Sequence, residues 1–506
     1  MTKKEYIVGL NRGVDFESFN NEMLSEMGAE FIPNRPVEIA NFRPGSERLT
    51  HYYLTDNEAA ALRNDPRVYC VEIPPQHRDD IKIHKMLTQT GNFSKTTSNT
   101  GFINWGLRRI NAATNPYEGN TVSGGYQYTL DGTGVDVVIQ DSGIEKTHPD
   151  FTDINGNSRI QEINWYTASG IPGTMPPNHY SDFDGHGTHV AGIVAGKTYG
   201  WAKNSRIYAV KVDGLDTGEG GIPVTDCFDI IKQWHNNKPV DAVTGYKRPT
   251  VVNMSWGYIS AFTNITGGSY RGTTWTGTSR RTDYGMIGFN IGLLNFFGIR
   301  IPSVDVEIQE MIDAGIHVVI SAGNTFQKID VASGLDYNNY YTNSVTGNVY
   351  YHRGSSPFDD EAIIVGNIDT ALSTIDDKEQ KQQSSCAGPG VTVYAPGTNI
   401  VSTISSTNLY TSGAYLDNPV FSVANLTGTS MSAPQVAGVM ALYLQLNPGY
   451  APSKVRNWVT AISKTNQIYT TGNTDDYTNN RSILGSTNRF MFNPFASPYG
   501  LTISGS

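Results

Sequence analysis

Ser430 stands in Leu426-Thr427-Gly428-Thr429-Ser430-Met431-Ser432-Ala433-Pro434, where small residues and a glycine lead into an apolar-periodic run. Val436, Val439, Met440, Leu442, Tyr443, Leu444 and Leu446 carry that run to Asn447-Pro448-Gly449. The pattern predicts a buried helix starting at or just before Ser430, with Pro434 tolerated near its beginning. A hydroxyl there lies beside free backbone N–H groups and the positive end of the helix dipole. Alone, such a serine reads as a helix cap. Its company elsewhere in the chain points instead to nucleophilic chemistry.

Three further residues supply that company. Asp141 ends the run Val135-Asp136-Val137-Val138-Ile139-Gln140 and opens Asp141-Ser142-Gly143-Ile144. A carboxylate just past the C-terminal end of a buried parallel strand is where open α/β sheets build sites, although Asp-Ser-Gly is also ordinary turn chemistry. His186 sits between glycines in Asp184-Gly185-His186-Gly187-Thr188-His189, which lets another chain segment approach the imidazole. A metal pair of His186 and His189 is the competing reading, but no HExxH pattern and no obvious third ligand supports it. Asn324 closes Val318-Val319-Ile320-Ser321-Ala322-Gly323-Asn324, again at a strand end. It reads as a turn asparagine or, in an acyl-transfer site, as an amide donor to a developing oxyanion.

Positioning these four requires a sheet. Short β-branched runs at 135–139, 207–212, 250–254, 317–320 and 362–365 alternate with helical patterns, including 303–315 with Val304, Ile308, Met311 and Ile312 inward. That alternation predicts an α/β, doubly wound, mostly parallel sheet with helices on both faces over residues 105–465. Residues 1–75 read as a small α+β unit in the order βαββαβ, hence ferredoxin-like. Residues 76–104 are polar and irregular and read as a linker that is easily cut. Stretches 259–301 and 330–358 read as long insertions, and 466–506 as an extension without a clear element.

Composition narrows the function classes. The 506 residues carry a formal net charge of −10, which argues against a nucleic-acid binder. No apolar run reaches membrane-spanning length, and the first residues lack a signal-peptide core. Synthesis in the cytoplasm is therefore expected, with later release by lysis or incorporation in a particle left open. Cys70, Cys227 and Cys386 are odd in number and lack CxxC spacing, so they read as free thiols rather than a disulfide framework or zinc site.

Taken together, the four stretches resemble the subtilisin-like serine proteases (subtilases). Asn253-Met254-Ser255-Trp256-Gly257 and Ala395-Pro396-Gly397 add further matches. The chain order Asp, His, Ser is that of the family, and Gly428-Thr429-Ser430-Met431-Ser432 is not the G-x-S-x-G of an α/β-hydrolase. The resemblance implies a serine endopeptidase in which Ser430 attacks, His186 takes its proton, Asp141 orients the imidazole, and the Asn324 side chain with the Ser430 N–H binds the oxyanion. It implies that Ser255, Trp256 and Gly257 border the substrate cleft, with Gly218, Glu219 and Gly220 on the opposite edge. Trp256 stands where a leucine is common and Tyr258 where a second glycine is common, which implies a narrowed subsite.

By the same resemblance no cofactor is required and no catalytic metal is involved. Structural calcium is common in the family, yet no loop shows recognisable ligand spacing. The expected partners are protein or peptide substrates, with no nucleic acid and no membrane. Residues 62–72 resemble the close of the propeptide/inhibitor domain of subtilases, and 104–110 the start of the mature enzyme. The N-terminal unit is then an intramolecular inhibitor, and the chain a zymogen that cuts itself within 76–104. A subtilase scaffold without catalysis is the alternative; it would be expected to have lost one of the four positions, and all four are here.

Overall fold

The computed structural model describes residues 2–41, 43–85, 89–91, 104–112, 128, 130–216, 218–415 and 417–496. Its largest sheet runs, in spatial order, Arg206–Lys211, Asp136–Asp141, Thr250–Met254, His317–Ser321, Ile363–Leu372, Val393–Pro396, Arg489–Phe490 and Lys464–Thr465, with Glu379–Lys381 beside Ile363–Leu372. Neighbours are parallel from Arg206–Lys211 through Arg489–Phe490. The doubly wound, mostly parallel architecture expected from the strand-and-helix alternation is the one observed.

Strand Asp136–Asp141 shows why these runs are continuously apolar. Val137 and Ile139 pack with Val190, Val194 and Met431 in one core, whereas Val138 packs with Val210, Ile230 and Ile308 in another. A strand buried on both faces cannot alternate polar and apolar residues. Helices His186–Ala195 and Thr429–Leu446 fill the first core. Helices Val224–Asn237 and Pro302–Asp313 fill the second.

The N-terminal residues form a separate antiparallel sheet in the order Glu38–Asn41, Leu49–Leu54, Lys4–Leu10, Val68–Glu72, as a ferredoxin-like unit should. Asp15 caps helix Phe16–Leu24, and Thr55 with Glu58 makes a capping box on Asp56–Leu62. This sheet docks on the second pair of helices. Ile7 and Leu49 meet Val306, and Glu72 Oε1 accepts the Ser303 N–H at 2.8 Å. Helix Pro302–Asp313 has no side-chain cap of its own, so a carboxylate from the N-terminal unit serves.

Three regions differ from the expectation. The irregular linker contains strands Ile81–Lys85 and Gln89–Gly91, each formed by pairing with a distant strand rather than by its own pattern. The two insertions pair with each other, Ile265–Tyr270 against Tyr340–Asn343, in a sheet of their own. The C-terminal stretch adds Arg489–Phe490 to the largest sheet, with Phe490 opposite Tyr394. Parts of the linker, residues 86–88 and 92–103, lie outside the described residues.

Candidate active site

Asp141, Ser255 and Asn324 emerge at neighbouring strand ends. Gln140 pairs with Met254 and Met254 with Ile320, so the residues that follow these positions share one rim of the sheet. Two helices bring the remaining groups to that rim from the first core. His186 is the first residue of His186–Ala195, and Ser430 the second of Thr429–Leu446. The periodicity placed the latter start correctly.

Asp141 Oδ1 lies 2.7 Å from His186 Nδ1, with both side chains fully buried. Asp141 Oδ1 also accepts the Ser142 N–H at 2.8 Å. With Nδ1–H donated to the carboxylate, the neutral ring presents Nε2 as an acceptor, and that atom is buried without a hydrogen-bond partner. The Ser430 hydroxyl donates to the Ser255 carbonyl at 3.0 Å, and the Ser255 hydroxyl donates back to the Ser430 carbonyl at 3.0 Å. Asn253 Nδ2 fixes the Ser255 hydroxyl from behind at 2.9 Å.

Asn324 is held by its oxygen. Its Oδ1 accepts the Thr429 N–H at 3.0 Å and the Thr429 hydroxyl at 3.1 Å, which leaves the Nδ2 donor buried and unpaired. A buried amide donor without a partner is destabilising by about 1–3 kcal/mol unless something pairs with it. Such a preorganised, unpaired donor is what an oxyanion site requires. Gly187 is where close approach demands glycine, since a Cβ there would stand 2.2 Å from the Gly143 carbonyl oxygen.

Both stretches expected at the cleft edges lie among the described residues. Ser255 precedes strand Trp256–Ala261, whose Trp256 and Tyr258 rings are buried at 1% and 2% exposure and pack with Phe228 and Ile81 in the second core. Opposite, the Glu219 carbonyl accepts Lys211 Nζ at 3.0 Å, and the Gly220 carbonyl accepts His179 Nδ1 at 2.9 Å. Burial pushes the His179 imidazole down to about 4, so it stays neutral in that role.

The metal reading for the histidine pair finds no support in the geometry. His189 donates Nε2–H to the Ala424 carbonyl at 3.0 Å, and burial holds its ring neutral down to about 3. Among the described residues one group of three carboxylates is close enough to share an ion: Asp229, Glu307 and Glu310. Arg43 already bonds Asp229 and Glu307, and Lys232 bonds Glu310. No helix among the described residues is long and apolar enough to cross a membrane. The three cysteines carry no disulfide.

Sequence reasoning missed two strands beside this site, Ile81–Lys85 and Gln89–Gly91. Lys82, Lys85 and Gln89 gave them a polar look, and a strand made by edge pairing leaves no amphipathic signature.

Comparison with known proteins agrees with the geometry. The chain is 27% identical over 417 residues to an extracellular serine proteinase of Thermus sp. (strain Rt41A), covering 82% of this chain and 71% of the relative. It is 25% identical over 482 residues to an alkaline protease of Alkalihalobacillus alcalophilus, covering 93% and 90%. Its fold is similar to that of fervidolysin from Fervidobacterium pennivorans, described as a keratinolytic enzyme related to subtilisin. That likeness has a TM-score of 0.50 at 17% identity, over 96% of this chain and 60% of the other. The model of the subtilase family matches residues 132–482, so this chain belongs to the subtilase family and is a serine protease.

Proposed function

We propose that this protein is a serine endopeptidase made as a zymogen whose first substrate is its own chain, cut between Lys85 and Gln89. One observation carries the proposal: two strands after the N-terminal sheet, Ile81–Lys85 and Gln89–Gly91, pair with edges on either side of the site, as the two halves of a substrate would. Strand Ile81–Lys85 pairs antiparallel with Trp256–Ala261, with Lys85 opposite Trp256 and His84 opposite Gly257. Strand Gln89–Gly91 pairs antiparallel with Ser422–Thr427, with Gln89 opposite Thr427. One partner strand starts just after Ser255, which is bonded to Ser430 in both directions, and the other ends three residues before Ser430. Addition of an extended strand to a sheet edge is a general mode of peptide recognition.

In this reading His186 Nε2 removes the Ser430 proton as the hydroxyl oxygen attacks the scissile carbonyl. Asp141 holds the ring in the tautomer that leaves Nε2 free and stabilises the imidazolium without taking its proton. The new oxyanion accepts from Asn324 Nδ2 and the Ser430 N–H. The imidazolium then protonates the leaving amine, the C–N bond breaks, and an acyl-enzyme remains. Water, deprotonated by the same ring, hydrolyses the ester and restores Ser430. Until the N-terminal unit departs it covers the cleft as an inhibitor. Protein substrates then add along Trp256–Ala261, with Gly218, Glu219 and Gly220 at the other edge.

N-terminal sequencing and intact mass of the parent and of Ser430→Ala test this reading. The parent should acquire a new terminus between Met86 and Gln89, and Ser430→Ala should remain full length. The same shortened product from Ser430→Ala would assign the cut to another protease, and a terminus elsewhere would overturn the register.

A further inference from the structure

A second buried carboxylate stands behind the catalytic pair. Asp182 is 4% exposed and accepts five hydrogen bonds. Its Oδ1 takes the Ser142 hydroxyl at 3.0 Å and the backbone N–H groups of Gly185 at 2.8 Å and Asp184 at 3.2 Å. Its Oδ2 takes the Thr188 N–H at 2.8 Å and the Thr188 hydroxyl at 2.5 Å.

The two hydroxyls are relays. Ser142 Oγ accepts the Gly187 N–H at 2.8 Å, so its own proton goes to Asp182. Thr188 Oγ1 accepts the Glu145 N–H at 2.9 Å and likewise passes its proton to Asp182. Gly187 follows His186, and Ser142 follows Asp141. One carboxylate therefore ties the loop after strand Asp136–Asp141 to the first turn of helix His186–Ala195, on either side of the Asp141–His186 bond. Because every neighbour donates, the arrangement needs an acceptor-only carboxylate; a neutral amide satisfies one oxygen's donors and opposes the other's.

We propose that Asp182 is the positioning residue of this protease: through Ser142 and Thr188 it fixes Asp141 and His186 relative to one another, and its charge supports the imidazolium. The titratable groups around this cluster are Asp141 and His186 themselves, Asp184, whose Oδ1 accepts the His186 N–H at 3.1 Å and the Tyr410 hydroxyl at 2.9 Å, Glu145, whose N–H donates to Thr188, and the Lys211–Asp216 pair, which bonds the neighbouring Ser181 carbonyl and Phe183 N–H. Burial, and to a smaller extent the neighbouring Asp141, push the Asp182 carboxyl up, and the donors of Thr188 and Gly185 oppose that push.

The test compares steady-state kinetics of the parent, Asp182→Asn, Ser142→Ala and Thr188→Val on a peptide substrate, with active sites counted by a fluorophosphonate. Asp182→Asn should lower kcat by about 10–10²-fold with KM within about twofold, as expected when general-base geometry is disturbed. The acid limb of its kcat/KM profile should move to lower pH, because removing a nearby negative charge makes the imidazolium easier to deprotonate. Ser142→Ala and Thr188→Val should each show a smaller loss in kcat. An unchanged kcat per active site and an unmoved acid limb would overturn the proposal, even if the melting temperature fell. If Asp182→Asn does not fold, the two hydroxyl variants decide: parent kcat in both refutes the role, and a several-fold loss in both sustains it.

Discussion

The Ser430 hydroxyl donates to the Ser255 carbonyl oxygen at 3.0 Å while the buried His186 Nε2 has no partner. In the proposed mechanism the Ser430 hydroxyl is thus parked on Ser255, and its proton must be turned toward the imidazole before attack.

Asn324 offers the sharpest test of the oxyanion assignment. Its oxygen is anchored by Thr429, so Asn324→Asp keeps the anchor acceptor and loses the amide donor. Either Asn324→Asp or Asn324→Ala should lower kcat by about 10²–10³ with KM little changed, the loss measured for the oxyanion asparagine of subtilisin. A parent-level kcat in Asn324→Ala would remove the residue from the site.

Trp256, expected at the cleft edge, has its ring in the second core. Its ring lies 6.4 Å from Phe228 and 5.8 Å from Tyr258. In a Ser430→Ala background, which prevents self-cleavage, Trp256→Ala should destabilise the chain by about 3–5 kcal/mol in denaturant unfolding. A change below about 1 kcal/mol would place the ring outside the core.

His179 makes a pH prediction. An imidazole titrates near 6.5 in an unfolded chain and at about 4 here, so the folded state binds fewer protons between those values. Its stabilising contribution is complete above pH 6.5 and is lost as pH falls toward 4, by about 1.4 kcal/mol per pH unit. Unfolding of Ser430→Ala with and without His179→Asn should show that difference in slope. Identical slopes would mean that the ring protonates freely.

Arg43 secures the N-terminal unit. Nη2 bonds Asp229 at 2.6 Å, Glu307 at 2.5 Å and the Thr225 carbonyl at 2.9 Å, with the guanidinium 2% exposed. Removing one partner of a buried charge cluster costs about 3–5 kcal/mol. Arg43→Met in the Ser430→Ala chain should therefore increase limited proteolysis within residues 1–72 by about 10²-fold or more. Unchanged digestion would assign docking to the apolar Ile7, Leu49 and Val306 contacts.

The catalytic rim was legible because strand ends and a helix start each leave a local signature. Val135–Ile139 announced a strand buried on both faces, and Val436–Leu446 announced a helix that had to begin near Ser430. The strands at 81–85 and 89–91 left no such mark, since their partners, Trp256–Ala261 and Ser422–Thr427, lie far along the chain. The insertions were hidden for the same reason: Ile265–Tyr270 is a strand because Tyr340–Asn343 lies beside it. Asp182 was illegible too, because a carboxylate surrounded only by donors looks, in sequence, like any loop aspartate.

The most direct measurement is fluorophosphonate labelling of the purified protein, followed by peptide mass spectrometry, in the parent and in His186→Ala. The account predicts a single phosphonylated serine, Ser430, in the parent and loss of labelling in His186→Ala. Absence of label from the parent, or label on a serine other than Ser430 under conditions that modify a control protease, would contradict it.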